Sequence, residues 1–285
     1  MIPAGFEYVR ARSVRDALNA LANGDGAKLL AGGHSLLPMM RFRLAQPAKL
    51  VDIGELAELR GITAKGRGLK IGATTTYREL LDSPLVAERA PLIAEACRTI
   101  GDIQVRNRGT IGGGVAHADP ASDMPAVLLA LDAMFQLRSR TAKRAVQARE
   151  FFQGPFTTAM TADELLTEIV VPGLPRGART AYVSFEQAAS GYPLVGVAVA
   201  ATLSRKTVTQ CAIAITGVSD HPFLVASAAA LVGTTADAAA RAAVADGALS
   251  GVAVNSDLHA PADYRTHLAR VAVQRALTAA LGPAR

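Results

Sequence analysis

Two glycine-rich stretches decide how this sequence is interpreted. Residues 31–38 read Ala-Gly-Gly-His-Ser-Leu-Leu-Pro, and residues 106–114 read Arg-Asn-Arg-Gly-Thr-Ile-Gly-Gly-Gly. In the first stretch, two consecutive glycines follow a predicted strand, so the backbone can adopt positive φ and a ligand can approach without meeting a Cβ. Free backbone amides at such a junction suit a phosphate group, although a tight turn accounts for the same pattern.

The second stretch has an unusual density of glycine. Four of the six residues from Gly109 to Gly114 are glycine, and each loses much conformational entropy when it is ordered. We therefore expect a ligand-binding loop over residues 109–114. It is not a P-loop, because Val115 stands where a lysine is required, and it is not a Rossmann fingerprint, because His117 stands where the third glycine is required. Together the two loops predict one extended ligand, a dinucleotide whose pyrophosphate is bound by backbone amides.

Polar residues lie in and just after these loops. Asp123 precedes a predicted helix, so it either caps that helix or accepts hydrogen bonds from ribityl or ribose hydroxyls. His34 and His117 are single loop histidines, which are more often hydrogen-bonding supports than metal ligands. We therefore expect neither a metal site nor a catalytic acid–base residue.

The composition excludes several classes of protein. The chain has 285 residues, of which two are cysteine, and a net charge of +6. Cys97 and Cys211 cannot supply the ligands of an iron–sulfur cluster or a structural zinc site. The arginines are dispersed, and no nucleic-acid-binding module stands out. No apolar run approaches the roughly 20 residues that span a bilayer, and the start lacks the pattern of a secretory signal, so we expect a cytoplasmic protein.

Strand and helix signals alternate through the first 175 residues. Hydrophobic runs of strand length, some of them alternating, are separated by helical periodicity and by turn residues. The predicted strands are 6–9, 28–31, 50–53, 69–73, 135–138 and 168–171, and the predicted helices lie around 92–100 and 124–131.

A linker at residues 172–177 ends this block, because two prolines and two glycines interrupt it. Beyond the linker, three strand-like runs precede alanine-rich helical patterns. This order predicts a small α+β domain with an antiparallel sheet and a helical cover. The predicted strands are 181–186, 194–203 and 208–218, and the predicted helices are 224–231, 236–249 and 262–281.

The pairing of the two glycine-rich stretches resembles the FAD-binding medium subunit of the molybdenum hydroxylases. Aerobic carbon monoxide dehydrogenase and the flavin domain of xanthine dehydrogenase are members of this family. The similarity covers nearly the whole chain, and the two loops with their spacing are highly specific. It extends to residues 151–154, 164–166, 213–218 and 263–265.

The resemblance implies an α+β fold with two domains. A two-part FAD-binding domain of the vanillyl-alcohol-oxidase (PCMH-like) type would span residues 1–175, with parts near 1–55 and 56–175, and a flavoprotein C-terminal domain would span 178–285. The two loops would embrace the FAD pyrophosphate, and Asp123 would hold FAD hydroxyls. The residues implied to bind FAD are Lys28, Leu29, Ala31, Gly32, Gly33, His34, Ser35, Leu36, Ile100, Thr110, Ile111, Gly113, Gly114, Ala118, Asp123, Leu165 or Leu166 against the isoalloxazine, and Tyr192 beside the ring.

The resemblance also implies an electron-transfer role in a larger complex. A large chain with the molybdenum cofactor would oxidise the substrate, and a small chain with two [2Fe–2S] clusters would pass electrons to the FAD of this chain. Such a complex would be a dimer of heterotrimers in the cytoplasm or at the inner face of the membrane. Carbon monoxide, a purine, an aldehyde and an N-heterocycle are all compatible substrates, because the substrate would bind to another chain.

Two other functions are compatible with these residues. One is a free-standing FAD-dependent reductase or oxidase of the same superfamily, and the other is a non-enzymatic flavin-binding module. The second alternative arises because the family often has Lys or Arg where this sequence has Ser184-Phe185-Glu186-Gln187. A cation at that position can stabilise reduced, anionic flavin, and Glu186 would do the reverse if it points inward.

Overall fold

A parallel three-stranded sheet forms the first unit of the structure, a computed structural model that describes residues 2–22 and 26–283. Strands β1 (Glu7–Arg10), β2 (Ala27–Leu30) and β3 (Lys49–Asp52) lie in the order β1, β3, β2. Helix α1 (Val14–Ala22) covers the sheet with its apolar side, and helix α2 (Leu36–Arg41) follows β2. Each observed strand is displaced by one residue from its predicted position, because pairing with the neighbouring strand sets its limits.

The second unit is a five-stranded antiparallel sheet with helices packed on it. Its strand order is β4, β5, β10, β6, β7. Three phenylalanines pack edge to face in its core, with ring centroids 4.5 to 5.9 Å apart. The elements are β4 (Ile62–Lys65), β5 (Gly68–Gly72), α3 (Tyr77–Asp82), α4 (Pro84–Arg89), α5 (Pro91–Thr99), α6 (Ile103–Arg108), α7 (Ile111–His117), α8 (Asp123–Ala130), β6 (Met134–Arg138), β7 (Lys143–Gln147), α9 (Ala148–Phe151), β8 (Phe152–Gly154), β9 (Thr157–Thr158) and β10 (Leu165–Val171).

The C-terminal unit is an antiparallel sheet in which consecutive strands are neighbours. Alternate side chains of the central strand face opposite sides. Val195, Val197 and Val199 enter a core with α11, whereas Ala198 faces the second unit. The elements are β11 (Ala178–Glu186), β12 (Pro193–Ser204), β13 (Thr207–Thr216), β14 (Phe223–Leu224), α10 (Ala238–Asp246) and α11 (Ala262–Leu281), with short 3-10 helices at Ala57–Leu59 and Ala226–Leu231.

Helix α8 lies between the second and third units. All of its residues are buried, and it packs against β12 and β13 as well as against α5. Ala198 and Ala214 of the sheet are in the same hydrophobic core as α8. These small side chains let the helix approach the sheet closely. The beginning of α8, where Asp123 lies, is therefore placed where the two units meet.

Two predicted elements were wrong in type. The expected loop at 109–114 is largely the beginning of helix α7, which Thr110 caps by accepting a hydrogen bond from the Gly113 N–H at 3.1 Å. The expected helix at 224–231 begins as strand β14, which pairs with β13, and continues as a 3-10 helix. In both places, contacts with distant strands override the local pattern.

Candidate functional site

The structure brings the two glycine-rich stretches into contact. Gly32 lies directly on the backbone of the second stretch: a Cβ at this position would overlap the Arg108 carbonyl group and stand 3.1 Å from the Gly109 Cα. Only glycine permits such an approach, because the neighbouring atoms are backbone and cannot rotate away. The two stretches therefore form one continuous surface.

The first loop presents a run of free backbone amides. Gly33 has φ of +78°, and Leu37 donates to its carbonyl oxygen at 3.0 Å. Within residues 2–22 and 26–283, the five N–H groups from Gly32 to Leu36 have no hydrogen-bond acceptor. The His34 Nδ1 lies 3.1 Å from the Gly32 carbonyl oxygen and supports the turn. Successive free amides of this kind suit an anion such as a diphosphate.

The second stretch contributes fewer free amides than its sequence predicts. The N–H of Ile111 donates to the Thr75 carbonyl at 3.0 Å, and that of Gly112 donates to the Ala73 carbonyl at 2.9 Å. With the Gly113 N–H bound to the capping threonine, these amides are already satisfied inside the chain. The pyrophosphate-binding capacity is therefore concentrated in the first loop.

Most glycines of the second stretch are needed for packing. A Cβ at Gly112 would lie 2.6 Å from the Ala73 carbonyl oxygen, one at Gly109 would lie 2.9 Å from the Val105 carbonyl oxygen, and one at Gly114 would overlap the Tyr77 hydroxyl. The expectation that the glycine density reflects mainly a ligand was wrong. A Cβ at Gly113 would lie 2.6 Å from the Thr110 Oγ1 that caps α7 and 4.0 Å from the Cβ of Ala31 in the first loop, so among these glycines Gly113 is the one beside that loop.

Asp123 is a buried carboxylate rather than a helix cap. The N-cap of α8 is Ser122, and Asp123 is only 5% exposed. Its Oδ1 accepts hydrogen bonds from the Tyr182 hydroxyl at 2.7 Å and from Thr99 Oγ1 at 3.3 Å. Burial raises the pKa of Asp123 to about 7, and the nearby charge of Glu186 acts in the same direction. Glu186 is exposed but close enough to influence this carboxylate electrostatically.

Tyr192 reaches the first loop from the C-terminal unit. Burial raises its pKa, the Asp119 and Asp123 carboxylates add to that rise, and the nearby Ser35 side chain opposes it. The structure thus gathers the first loop, Gly113, Asp123 and Tyr192 around one region.

The other predicted contacts lie around this region or inside hydrophobic cores. Leu165 is fully buried in the core of the first unit, and its neighbour Leu166 is buried in the core of the second. Ile100 is half-buried directly after α5, and Ala118 ends α7 with φ of +50°. Lys28 is exposed and Leu29 is half-buried on β2, before the first loop.

Arg265 anchors β12, the strand that begins directly after Tyr192. Its Nη1 donates to the carbonyl oxygens of Leu194 and Gly217, each at 2.7 Å, and its Nη2 donates to Asp257 Oδ2 at 2.7 Å. Gly217 in turn donates to the Pro120 carbonyl at 2.9 Å. Through these hydrogen bonds, helix α11 is connected to the beginning of β12, next to Tyr192, and through Gly217 to Pro120, in the segment before Asp123.

The Asp257 carboxylate should make the stability of the chain sensitive to acid. Burial alone would raise its pKa, but hydrogen bonds from Arg265 and from the N–H groups of Ala260 and His259 lower it to about 2. An unfolded Asp titrates near about 3.9, so the stabilisation is complete above that pH and is lost as the pH falls toward 2. We expect Asp257→Asn to lower the urea midpoint at pH 7. Between about pH 4 and 2, the midpoint of this variant should decrease less than that of the wild type.

The matched control is Asp220→Asn, which changes an exposed carboxylate in the same unit. Its urea midpoint should follow the wild-type midpoint across the range. If the urea midpoints of the Asp257→Asn and wild-type chains fell equally as the pH is lowered, the Asp257 carboxylate would not be the source of the acid sensitivity.

The comparisons with known proteins agree with this arrangement. Residues 4–174 match the family described as FAD binding domain in molybdopterin dehydrogenase, and residues 180–280 match the CO dehydrogenase flavoprotein C-terminal domain. The chain belongs to the FAD-binding medium subunits of the molybdenum hydroxylases. The predicted family, the α+β fold and the FAD cofactor are confirmed.

Individual relatives support the family over the full length. The chain is 42% identical over 282 residues to the carbon monoxide dehydrogenase medium chain of Hydrogenophaga pseudoflava, covering 98% of each chain. It is 45% identical over 223 residues to the glyceraldehyde dehydrogenase medium chain of Sulfolobus acidocaldarius, covering 78% of this chain and 79% of that one. These relatives are named as dehydrogenase subunits, and the chain is accordingly an oxidoreductase subunit.

Solved structures show the same fold. The carbon monoxide dehydrogenase of Hydrogenophaga pseudoflava that lacks the Mo-pyranopterin moiety has a TM-score of 0.96 at 43% identity, covering 100% of both chains. Quinoline 2-oxidoreductase from Pseudomonas putida 86 has a TM-score of 0.93 at 30% identity, covering 99% of this chain and 98% of that one.

The residues present fit FAD. A diphosphate needs several donors close together, which the amides from Gly32 to Leu36 provide, and the glycine surface leaves space for close approach. Asp123 is an acceptor for hydroxyl groups. Among the described residues, no group of three or more His, Cys, Asp or Glu side chains is arranged to hold a metal ion.

Proposed function

We propose that this chain is the electron-transfer subunit of a three-component molybdenum hydroxylase. It takes electrons from [2Fe–2S] clusters on a small partner and passes them to an external acceptor, while a large partner with the molybdenum cofactor oxidises the substrate. The complex is a dimer of heterotrimers. The observation that carries the proposal is the meeting of the free-amide loop, Gly113, Asp123 and Tyr192 in one region.

Each of these residues has a defined task in the proposal. The amides of the first loop bind the FAD pyrophosphate, with Gly113 of the second stretch beside them, and Asp123 accepts hydrogen bonds from FAD hydroxyls. When bound, the flavin accepts electrons singly and releases them in pairs. The chain supplies position and electrostatics, and Tyr192 covers the region from the C-terminal unit. The proposed FAD-binding domain spans residues 1–175, and the flavoprotein C-terminal domain spans 178–285.

The two cysteines fit the proposal that the [2Fe–2S] clusters are bound by another subunit. Burial raises the pKa of Cys97 to about 12 and that of Cys211 to about 11, so both side chains are thiols at neutral pH. They lie on different units, one buried and one half-buried. In the part of the chain that the structure describes, no helix has the length and apolarity needed to cross a membrane.

The experiment is reduction of the bound flavin in purified proteins. The chain is purified alone and together with the products of the neighbouring genes, and the flavin absorption band is followed after substrate is added. The proposal expects bleaching only when the [2Fe–2S] chain and the molybdenum chain are both present. Bleaching by substrate in the isolated chain would favour a free-standing enzyme, and flavin that no cluster-bearing partner reduces would favour a binding module.

A further inference from the structure

Tyr182 connects the C-terminal unit to the carboxylate of Asp123. Its hydroxyl donates to Asp123 Oδ1 at 2.7 Å, which is the shorter of the two hydrogen bonds that this oxygen accepts from Tyr182 and Thr99. The backbone N–H of Tyr182 donates to Glu95 Oε2 at 3.0 Å. The residue is therefore fixed to the second unit both at its backbone and at the tip of its side chain.

The neighbouring strand leaves space for this contact. Gly196 of β12 pairs with Ser184, two residues beyond Tyr182. A Cβ on Gly196 would overlap the Tyr182 hydroxyl. A side chain there would push the tyrosine away from Asp123, so the glycine permits the hydrogen bond.

The contact leaves one carboxylate oxygen available to a ligand. Oδ1 accepts hydrogen bonds from two side chains, whereas Oδ2 accepts none from the side chain of another described residue, and the backbone N–H of Asp123 itself also interacts with the carboxylate. Two donors on one oxygen fix the plane of the carboxylate and hence the direction of the second oxygen. Tyr182 supplies one of these donors from a strand that the FAD-binding domain does not contain.

We propose that Tyr182 is a positioning residue of the FAD site, which orients Asp123 so that Oδ2 accepts hydrogen bonds from FAD hydroxyls. The C-terminal unit thereby takes part in FAD binding through Asp123 as well as by covering the site. This inference rests on the proposed contact between Asp123 and FAD.

The charge of Asp123 gives the proposal a measurable signature. Burial raises its pKa, hydrogen bonds from Tyr182 and Thr99 lower it, and the charge of Glu186 raises it. Removing the tyrosine hydroxyl should therefore move the titration of Asp123 to higher pH, and removing the Glu186 charge should move it to lower pH. Among the described residues, Tyr77, Cys97 and Tyr192 are further titratable groups that interact with this carboxylate.

The test measures the Kd of FAD for the full chain between pH 6 and 9 by quenching of flavin fluorescence. At pH 7 we expect Tyr182→Phe to bind FAD about tenfold more weakly than the wild type, since a hydrogen bond to a charged group is lost. The loss should persist at pH 9, because the hydrogen bond that orients the carboxylate is absent at every pH, and it should grow toward pH 6, because removal of the tyrosine hydroxyl raises the pKa of Asp123. Glu186→Gln should shift the pH profile in the opposite direction. Tyr264→Phe, on an exposed tyrosine of α11, is the matched control.

The outcomes separate this inference from the proposed function. If Asp123→Asn binds FAD like the wild type at every pH, the contact between Asp123 and FAD fails. If Asp123→Asn weakens binding but Tyr182→Phe changes neither the Kd nor its pH profile, the positioning role of Tyr182 is overturned. A double-mutant cycle on the unfolding of the flavin-free chain tests the hydrogen bond itself, and zero coupling between Tyr182→Phe and Asp123→Asn would overturn it as well.

Discussion

Gly32→Ala is expected to weaken FAD binding by at least about a hundredfold. The added methyl group would overlap the Arg108 carbonyl, so the first loop would have to move away from the second stretch. Because the free amides from Gly32 to Leu36 belong to this loop, the movement would disperse the donors that suit the pyrophosphate. The measurement is a fluorescence titration of the flavin-free full chain with FAD.

The control for Gly32→Ala is Gly5→Ala. Gly5 has no neighbouring atom within 4 Å of the added Cβ, so this variant should bind FAD like the wild type. The thermal unfolding of each flavin-free variant separates loss of the site from loss of the fold. Wild-type affinity in a folded Gly32→Ala chain would show that contact between the two stretches does not form the site.

Gly112→Ala is expected to destabilise folding by about 3 kcal/mol. Its methyl group would lie 2.5 Å from the Ala73 Cβ and 2.6 Å from the Ala73 carbonyl oxygen, which also accepts the Gly112 N–H. Backbone and a buried methyl group cannot rotate aside, so α7 would be pushed away from the end of β5. The free energy of unfolding from urea denaturation measures this loss without any flavin.

Gly113→Ala provides the contrast one residue later in the same helix. Its methyl group would meet Thr110 Oγ1 at 2.6 Å and the Ala31 Cβ at 4.0 Å. The gain in helix propensity, about 1 kcal/mol, offsets part of the disturbance of the cap. We expect a free energy of unfolding within about 1 kcal/mol of the wild-type value, together with markedly weaker FAD binding. Equal stability losses in the two variants would contradict the assignment of Gly112 to packing and Gly113 to the ligand.

The candidate site shows which of its contacts the local sequence pattern can predict and which it cannot. The strand, the glycine pair and Ser35 of the first loop are consecutive, so their arrangement could be predicted from sequence alone. Asp123 was ambiguous between helix cap and ligand contact. In the structure the cap is Ser122, and Asp123 pairs with Tyr182, a residue 59 positions away in the chain. No local signal marks Tyr182, because it lies in an ordinary alternating strand.

The family, the α+β class, the FAD cofactor and the lack of ligands for an iron–sulfur cluster or a structural zinc site could all be predicted from the amino-acid sequence. These conclusions depend on residue types, spacings and the two cysteines, which folding does not change. The tertiary structure was needed to show which glycines are occupied by packing: Gly109, Gly112 and Gly114 pack against Val105, Ala73 and Tyr77, whereas Gly32 and Gly113 lie at the junction of the two stretches. This difference arises because a glycine is required wherever another atom comes too close for a Cβ, and the sequence does not show whether that atom belongs to the protein or to a ligand.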